Sequence, residues 1–200
     1  MIDSKEKLRG AYPPAKERSL KKQLTQLDKH CLRFIGLSPF VVLSSGTLEG
    51  GFDASPRGGE PGFVRAPDTR TLLIPDAPGN NRLDTLENII ANGRLGLLFL
   101  VPGVDETLRV NGRARLQDDV SLLQSFKNEK RTPKLVIEVR VEDVYLHCAK
   151  ALMRSRLWDA SLQVERSVLP TMGQMLADQI GEPALAETQA QMVERYKADL

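Results

Sequence analysis

Two stretches of the sequence alternate apolar and polar side chains with a period of two. In residues 107–116, one face would carry Leu108, Val110, Gly112, Ala114 and Leu116. Residues 134–141 repeat the pattern with Leu135, Ile137, Val139 and Val141. Successive side chains of a strand point to opposite faces of a sheet, whereas a helix repeats about every 3.6 residues. Both stretches are therefore predicted to be strands with one apolar and one polar face.

Four shorter segments add further strands to this pair. They cover residues 40–45, 52–57, 70–75 and 95–101. The last of them is nearly all apolar, which predicts burial on both of its faces. Short turns separate the segments, one of them at Gly50 and Gly51. Six strands joined in this way favour a mainly β fold with flanking helices (α+β), built on an antiparallel barrel.

Helical periodicity marks the segments around the strands. One amphipathic helix is predicted in the N-terminal region from apolar residues at helical spacing, Leu20, Leu24, Leu27 and Cys31. Further helices are predicted over residues 81–92, 118–126, 170–180 and 183–196. The first of these begins with Asn81 and Asp84 in a variant of the capping box. Gly181 is expected to separate the last two.

Composition narrows the class of protein. The 200 residues carry 28 Lys or Arg against 26 Asp or Glu, which does not favour a dedicated nucleic-acid binder. Nine Lys or Arg fall within the first 33 residues, against four acids; we interpret them as the solvated face of a helix, with a nucleic-acid arm as the alternative. Two cysteines do not make a disulfide scaffold. Without a predicted membrane span or leader, we expect a cytoplasmic protein with reduced thiols.

Three segments carry polar residues that the strand pattern does not require. Residues 55–59 offer the Ser55 hydroxyl, the Arg57 guanidinium and glycines that let a ligand approach the backbone. Residues 78–82 place Arg82 at the predicted start of a helix, where a cation is unfavourable unless an anion is bound. Residues 150–158 combine basic side chains with the single tryptophan, Trp158.

Each segment also has a purely structural interpretation. Residues 55–59 can form a simple turn, Arg82 can be a solvated surface residue, and Trp158 can be a core anchor. No phosphate-binding loop, nucleophile elbow or zinc-protease motif is present. The two histidines each adjoin a cysteine, and no metal site is predicted from them. A nucleophilic pair of Cys31 and His147 is disfavoured because Cys31 belongs to an apolar stripe.

At these segments the chain resembles the pyridoxamine 5'-phosphate oxidase-like flavoproteins with an FMN-binding split barrel. The resemblance extends over residues 34–159. It rests on the following runs of sequence: Ser-Pro-Arg-Gly at 55–58, Arg-Thr-Leu-Leu-Ile-Pro-Asp at 70–76, Pro-Gly-Asn-Asn-Arg at 78–82, Gly-Leu-Leu-Phe-Leu at 96–100, Thr-Leu-Arg-Val-Asn-Gly at 107–112 and His-Cys-Ala-Lys-Ala-Leu-Met-Arg-Ser at 147–155. The last run, followed by Leu157 and Trp158, is typical of an uncharacterised branch of that family.

The resemblance implies a six-stranded antiparallel split β-barrel that forms a homodimer with FMN at the interface. The chain would then divide into an N-terminal helical segment (1–33), the barrel (34–160) and a helical C-terminal tail (161–200). By position, the residues implied to bind the cofactor are Ser55, Arg57, Ile74, Asn81, Arg82, Thr107, Lys150, Arg154, Ser155 and Trp158. The last four would approach from the partner subunit. Thr107 stands where the oxidases have a glutamine that reaches the flavin ring.

One departure from the family pattern bears on function. True pyridoxine-phosphate oxidases carry an Arg-x-His stretch near the C-terminus, and this chain has no histidine after Trp158. The function predicted is an FMN-dependent oxidoreductase acting on an unidentified small molecule, without a nucleic-acid or membrane partner. The alternatives are a non-catalytic flavin- or haem-binding protein and a nucleic-acid-associated dimer.

Overall fold

The computed structural model describes residues 1–77, 79–127, 132–182 and 187–197. Its centre is a single antiparallel sheet of six strands in the order β2-β1-β4-β5-β6-β3. The strands are β1 (Phe40–Gly46), β2 (Phe52–Gly58), β3 (Thr71–Pro75), β4 (Arg94–Leu100), β5 (Thr107–Gln117) and β6 (Val136–His147). All six predicted strands are present, and the curled half-barrel confirms the predicted split-barrel fold.

The longest strand pair of the sheet is β5 with β6. Leu108, Val110, Gly112 and Ala114 are buried along one face of β5, as the alternation predicts. Strand β6 continues to His147, beyond the predicted end at 141, and pairs with β3 through its first half. A bulge at Asn111 and Gly112 bends the pair. A Cβ on Gly112 would lie 2.1 Å from the Arg140 carbonyl oxygen, so only glycine fits there.

The prediction that β4 is buried on both faces is wrong for the single chain. Leu95, Leu97 and Phe99 enter the core, whereas Leu98 and Leu100 are only half-buried on the outer face of the sheet. The outer face of β1 beside them carries Phe40, which is 37% exposed, and half-buried Val42. The chain thus leaves an apolar strip on the outside of its barrel.

Eight α-helices occur in the described residues. They are α1 (Lys5–Gly10), α2 (Glu17–Lys21), α3 (Lys29–Leu37), α4 (Asp84–Asn92), α5 (Val120–Ser125), α6 (Lys150–Ser155), α7 (Met172–Ile180) and α8 (Gln189–Lys197). Gly181 ends α7 with a positive φ of 80°, as predicted, while residues 183–186 lie outside the described residues. No helix in the described part of the chain is long and apolar enough to cross a bilayer.

The single N-terminal helix predicted from the leucine spacing is wrong, because the chain breaks between α2 and α3. Leu24 leaves the helical path and exchanges backbone hydrogen bonds with Val144. The two residues form an isolated antiparallel bridge on β6. Asp28 then caps α3 by accepting from the backbone N–H groups of His30 and Cys31. The apolar stripe is real, since Leu27 and Cys31 are buried in the core.

Helix α4 begins at Asp84, three residues later than the predicted start at Asn81. Asn81 and Leu83 both adopt left-handed backbone conformations, with φ of 60° and 63°, which prevent a helix from starting earlier. The Asn80 side chain accepts a hydrogen bond from the Arg82 backbone N–H and shapes the same turn. Leu86 and Ile89 then bury the inner face of α4 against the core.

Candidate functional site

Three polar side chains share the inner face of the edge strand β2. The register pairs Asp53, Ser55 and Arg57 with Ser45, Leu43 and Val41 of β1. Directly paired residues project to the same side of a sheet, and the three β1 residues are buried. The β2 side chains therefore point toward the barrel interior, although they stay half-buried because β2 has no neighbour on its outer edge.

Arg57 is braced by its own strand. Its Nη1 donates to Ser55 Oγ at 2.6 Å and to the Pro56 carbonyl oxygen at 2.9 Å. Within the described residues it forms no ion pair with a carboxylate. An arginine held in this way keeps other N–H groups available for an anion at little further loss of conformational freedom.

The charge of Arg57 acts on Asp76, which directly follows β3. Burial raises the pKa of Asp76, and the positive charges of Arg57 and Lys134 partly oppose that increase. Strands β2 and β3 are the two outer strands of the sheet. The charge of Arg57 thus acts on a carboxyl at the opposite edge of the sheet.

A small polar network attaches the first turn of α4 to β2. Thr85 Oγ1 donates to Asp53 Oδ2 at 2.6 Å, and Ser45 Oγ reaches the same oxygen at 3.4 Å. Asn88 Nδ2 donates to Ser45 Oγ at 2.9 Å. Ser45, Thr85 and Asn88 are buried, and these bonds satisfy their polar groups. The start of α4 is thereby held beside the β2 face that carries Ser55 and Arg57.

The loop from β3 to α4 completes this region. Leu83 provides no side-chain cap, so it leaves the first N–H groups of α4 without a partner from the N-cap position. Arg82 is 75% exposed, and its Nε donates to Asp84 Oδ2 at 2.9 Å. Gly79 has open space where a Cβ would be, and Pro78 lies outside the described residues. We name Ser55, Arg57, Asp76 and the loop residues 79–83 the edge site.

The edge site has the chemistry of an anion receptor. A braced guanidinium, a second arginine on the loop and uncapped helix N–H groups all favour negative charge. The Asp76 carboxyl is the opposing feature, and its raised pKa reflects the cost of keeping a buried charge there. Among the described residues, no group of three His, Cys, Asp or Glu side chains is arranged to hold a metal ion.

The remaining predicted residues do not join the edge site. Ile74 is fully buried in the core, so only its backbone is available to a ligand. Thr107 is half-buried at the start of β5, opposite His147. Lys150, Arg154 and Ser155 are exposed on α6. Thr107, the three α6 residues and Trp158 lie at the other end of β6, where it pairs with the start of β5, and we treat them as a second group.

Trp158 ties this second group to the barrel. Its Nε1 donates to the Val104 carbonyl oxygen at 2.9 Å, in the turn between β4 and β5. Ser155 Oγ is occupied by a bond to the Leu152 carbonyl oxygen. In the described part of the chain, no hydrogen bond or ion pair connects this group with the edge site.

Cys31 is in the core, as its apolar stripe predicts. Burial raises the pKa of its thiol to about 11, so the thiolate required of a nucleophile is not available at neutral pH. Sequence reasoning missed Asp76 and the network of Asp53 and Thr85. Their positions depend on curling of the sheet and on α4 packing, for which no local sequence pattern exists.

Comparison with known proteins agrees with the architecture. No curated protein matches the sequence. Solved structures with the same fold include HupZ of Group A Streptococcus, which is 17% identical over 60% of this chain and 93% of its own, with a TM-score of 0.51. Another is a Lactobacillus delbrueckii protein proposed to be a pyridoxamine 5'-phosphate oxidase. It is 19% identical over 62% of this chain and 98% of its own, with a TM-score of 0.50.

The strongest finding comes from the sequence itself. The family model described as pyridoxamine 5'-phosphate oxidase matches residues 27–148, more than half of the chain. The matched range begins at Leu27, which is buried beneath the sheet, and ends just after β6. It therefore coincides with the structural unit that forms the barrel. The chain belongs to the pyridoxamine 5'-phosphate oxidase family.

Proposed function

We propose that this protein is an FMN-binding flavoprotein and that the edge site binds the FMN phosphate. The observation that carries the proposal is the braced, half-buried Arg57 on β2, the strand to which Thr85 and Asp53 attach the first turn of α4. The phosphate of FMN is close to a dianion and requires fixed cationic or N–H donors. Membership of the family supports the same cofactor.

The residues have distinct roles in this proposal. Arg57 binds the phosphate, and Ser55 keeps the guanidinium oriented. Arg82 exchanges its ion pair with Asp84 for a contact with the ligand. The backbone of residues 79–83 and the first turn of α4 supply N–H donors. When bound, FMN supplies the electron-transfer chemistry, and the protein positions it and sets the charge around it.

We propose a homodimer, in which the outer apolar strip packs against a second copy. The strip contains Phe40, Val42, Leu98 and Leu100. Contiguous apolar surface on the outside of a barrel favours association, because its burial removes it from water. In such a dimer, α6 and Trp158 of one subunit can approach the flavin of the other.

We further propose that the reaction is an oxidation or reduction of a small organic molecule other than vitamin B6. The absence of a histidine after Trp158 in the sequence supports the exclusion of vitamin B6. The two free cysteines are compatible with the cytoplasmic location that we propose.

The proposal is tested by titrating the purified chain with FMN and following flavin absorbance and fluorescence. Arg57→Gln is expected to weaken FMN binding by about 10- to 100-fold, since a charge-assisted hydrogen bond contributes about 1.5–3 kcal/mol. Arg82→Gln should weaken it only by a few-fold, because Arg82 gives up its pair with Asp84. Arg113→Gln on β5, where the arginine pairs with Glu142, is the matched control and should leave affinity unchanged.

Failure of the wild-type chain to bind FMN would overturn the assignment, as would equal affinity in the Arg57 and Arg113 variants. Stopped-flow mixing of the FMN-loaded protein with NADH or NADPH then tests catalysis. Flavin reduction followed by transfer to an acceptor supports an oxidoreductase. Bound flavin without any turnover would support a non-catalytic flavin-binding protein. A titration with haem tests the haem-binding alternative.

A further inference from the structure

A second cationic region lies on the outer face of the sheet, on the side of β5 and β6 opposite the core. The register pairs Thr107 with His147 and Arg109 with Tyr145. These residues alternate with Leu108 and Val144, which are fully buried, so all four project outward. Lys22, which directly follows α2, reaches the same place. We name Lys22, Arg109, Tyr145 and His147 the outer cluster.

Arg109 is the residue whose bonding is incomplete. Its guanidinium carbon lies 4.3 Å from the centroid of the Tyr145 ring, a cation–π contact. Its Nε is buried and has no hydrogen-bond partner. Within the described residues, no carboxylate lies within ion-pair distance of this arginine. A buried guanidinium N–H without an acceptor is costly, so a missing acceptor is indicated at this position.

Lys22 adds a second positive charge beside Arg109, and His147 contacts the same ring. Lys22 Nζ lies 5.2 Å from the Tyr145 ring centroid and is held by a 2.6 Å hydrogen bond to the Leu146 carbonyl oxygen. The His147 and Tyr145 ring centroids are 4.9 Å apart. Burial, and then the charges of Arg109 and Lys22, lower the pKa of His147. The outer cluster therefore holds two cations, Lys22 and Arg109, at one aromatic ring, and together with burial they disfavour a third charge on His147.

The nearby acids do not neutralise the cluster. Asp143 lies one residue pair further along the same face, and both of its carboxylate oxygens accept from Asn111 Nδ2 at 3.2 Å. Glu106 precedes Thr107, and no ion pair links it to Arg109 or Lys22 in the described part of the chain. Arg113 and Arg115 on the same strand each have a glutamate partner. Arg109 is the exception among the arginines of β5.

We propose that the outer cluster binds an oxyanion, the carboxylate or phosphate group of a small molecule. Arg109 provides the buried Nε–H donor, Lys22 provides a second charge beside the same ring, and Tyr145 contacts both cations. Leu98 of β4, which pairs with Arg109 of β5, belongs to the outer apolar strip, so the anion site borders the proposed dimer interface and the strip offers an apolar wall for the remainder of the ligand. This part of the inference rests on the proposed function: in an FMN-dependent oxidoreductase, the anion would be the charged group of the substrate. The substrate class would then be organic acids or phosphate esters.

The test uses two probes, inorganic phosphate and benzoate, measured by titration calorimetry at low ionic strength on the full chain. We expect Arg109→Gln to weaken binding of the preferred probe at least 10-fold and Lys22→Gln to weaken it by about 3- to 10-fold. Arg113→Gln removes the same charge from the same strand and should change affinity less than 2-fold. A preference for phosphate indicates phosphate esters, and a preference for benzoate indicates carboxylates.

Three results would overturn the inference. Equal effects of Arg109→Gln and Arg113→Gln would mean general charge attraction. A shift from dimer to monomer in Arg109→Gln, with probe binding unchanged, would mean that a partner subunit supplies the missing acceptor. Loss of FMN affinity in Arg109→Gln would make Arg109 a flavin ligand instead. If Arg109→Gln does not fold, the exposed Lys22 variant decides the question.

The two proposals fail separately, because the anion titration is performed without FMN. A wild-type chain that binds a probe but no FMN would overturn only the proposed function. A chain that binds FMN but neither probe would overturn only the oxyanion site.

Discussion

The barrel and the C-terminal tail differ in the exposure of their apolar side chains. Inside the barrel, Val41, Leu43 and Phe99 are fully buried. In the tail, apolar residues from the first 3₁₀ turn (Ala160–Leu162) to α7 remain largely exposed, namely Leu162, Val164, Val168, Leu169 and Leu176. Helices α7 and α8 pack chiefly on each other, around Gly173 and Ala177.

This difference shows which part of the molecule is complete within one chain. The barrel buries its inward-facing apolar side chains against one another and leaves only the outer apolar strip of Phe40, Val42, Leu98 and Leu100 for association. The tail carries enough apolar surface to favour association but does not bury it on its own barrel. We therefore expect the tail and the outer strip to respond to the oligomeric state, and the barrel core to be insensitive to it.

The largest expected effect separates the barrel core from the tail surface. Phe99→Ala should lower the free energy of unfolding by about 3–5 kcal/mol, because it removes a fully buried aromatic ring and leaves a cavity. Val168→Ala, at a residue that is 64% exposed, should change it by less than about 0.5 kcal/mol. Urea unfolding followed by circular dichroism measures both. A comparable loss in both variants would contradict the contrast between barrel and tail.

The next prediction concerns association. Replacing Val164, Val168 and Leu169 together by serine should weaken the proposed dimer at least 10-fold while the urea midpoint of the barrel stays constant at low protein concentration. Sedimentation velocity over a concentration series provides the measurement. Three serine substitutions at exposed N-terminal positions form the control: Leu8 in α1, Tyr12 between α1 and α2, and Leu20 in α2. Unchanged dimerisation in the tail variant would show that the tail surface is not part of the interface.

A smaller effect is expected where the tail is attached to the barrel. Trp158→Phe keeps an aromatic ring but removes the N–H that donates a hydrogen bond to the Val104 carbonyl oxygen. Loss of this bond should lower the local free energy of unfolding by about 0.5–1.5 kcal/mol. Hydrogen exchange of residues 150–159 should accelerate, whereas exchange in β5 should not. Uniform acceleration across the barrel would mean that Trp158 supports the core and is not a local attachment.

The smallest effect is a pH dependence at the edge of the barrel. Burial raises the pKa of Asp76 above its ordinary value of 3.8, so the folded state holds this proton more tightly than the unfolded state. The contribution of Asp76 to stability is therefore highest at low pH and decreases as the pH rises from 3.8 through the raised value. Asp76→Asn should equal the wild type near pH 3.5 and exceed its stability at pH 7. Urea midpoints at the two pH values test this, and a gain that is independent of pH would contradict it.

Comparison of prediction and structure shows where local patterns are sufficient. The faces of β5 follow directly from residues 107–116, and the six strands are present as predicted. The predictions failed where backbone geometry overrode spacing. Leu24 pairs with Val144 in place of continuing a helix, and the left-handed conformations of Asn81 and Leu83 delay α4. The roles assigned by resemblance to individual site residues stay predictions.

The sequence by itself determined the strands, the buried faces of β5 and β6, and the family, because alternation and short motifs act over a few neighbouring residues. Only the tertiary structure decided which side chains meet across the barrel. The charge of Arg57 acts on Asp76 although the two residues belong to opposite edges of the sheet, and Arg109 faces Tyr145 and Lys22 because of strand register and the path of the N-terminal segment. Curvature and register arise from the packing of the whole chain, and no short segment encodes them.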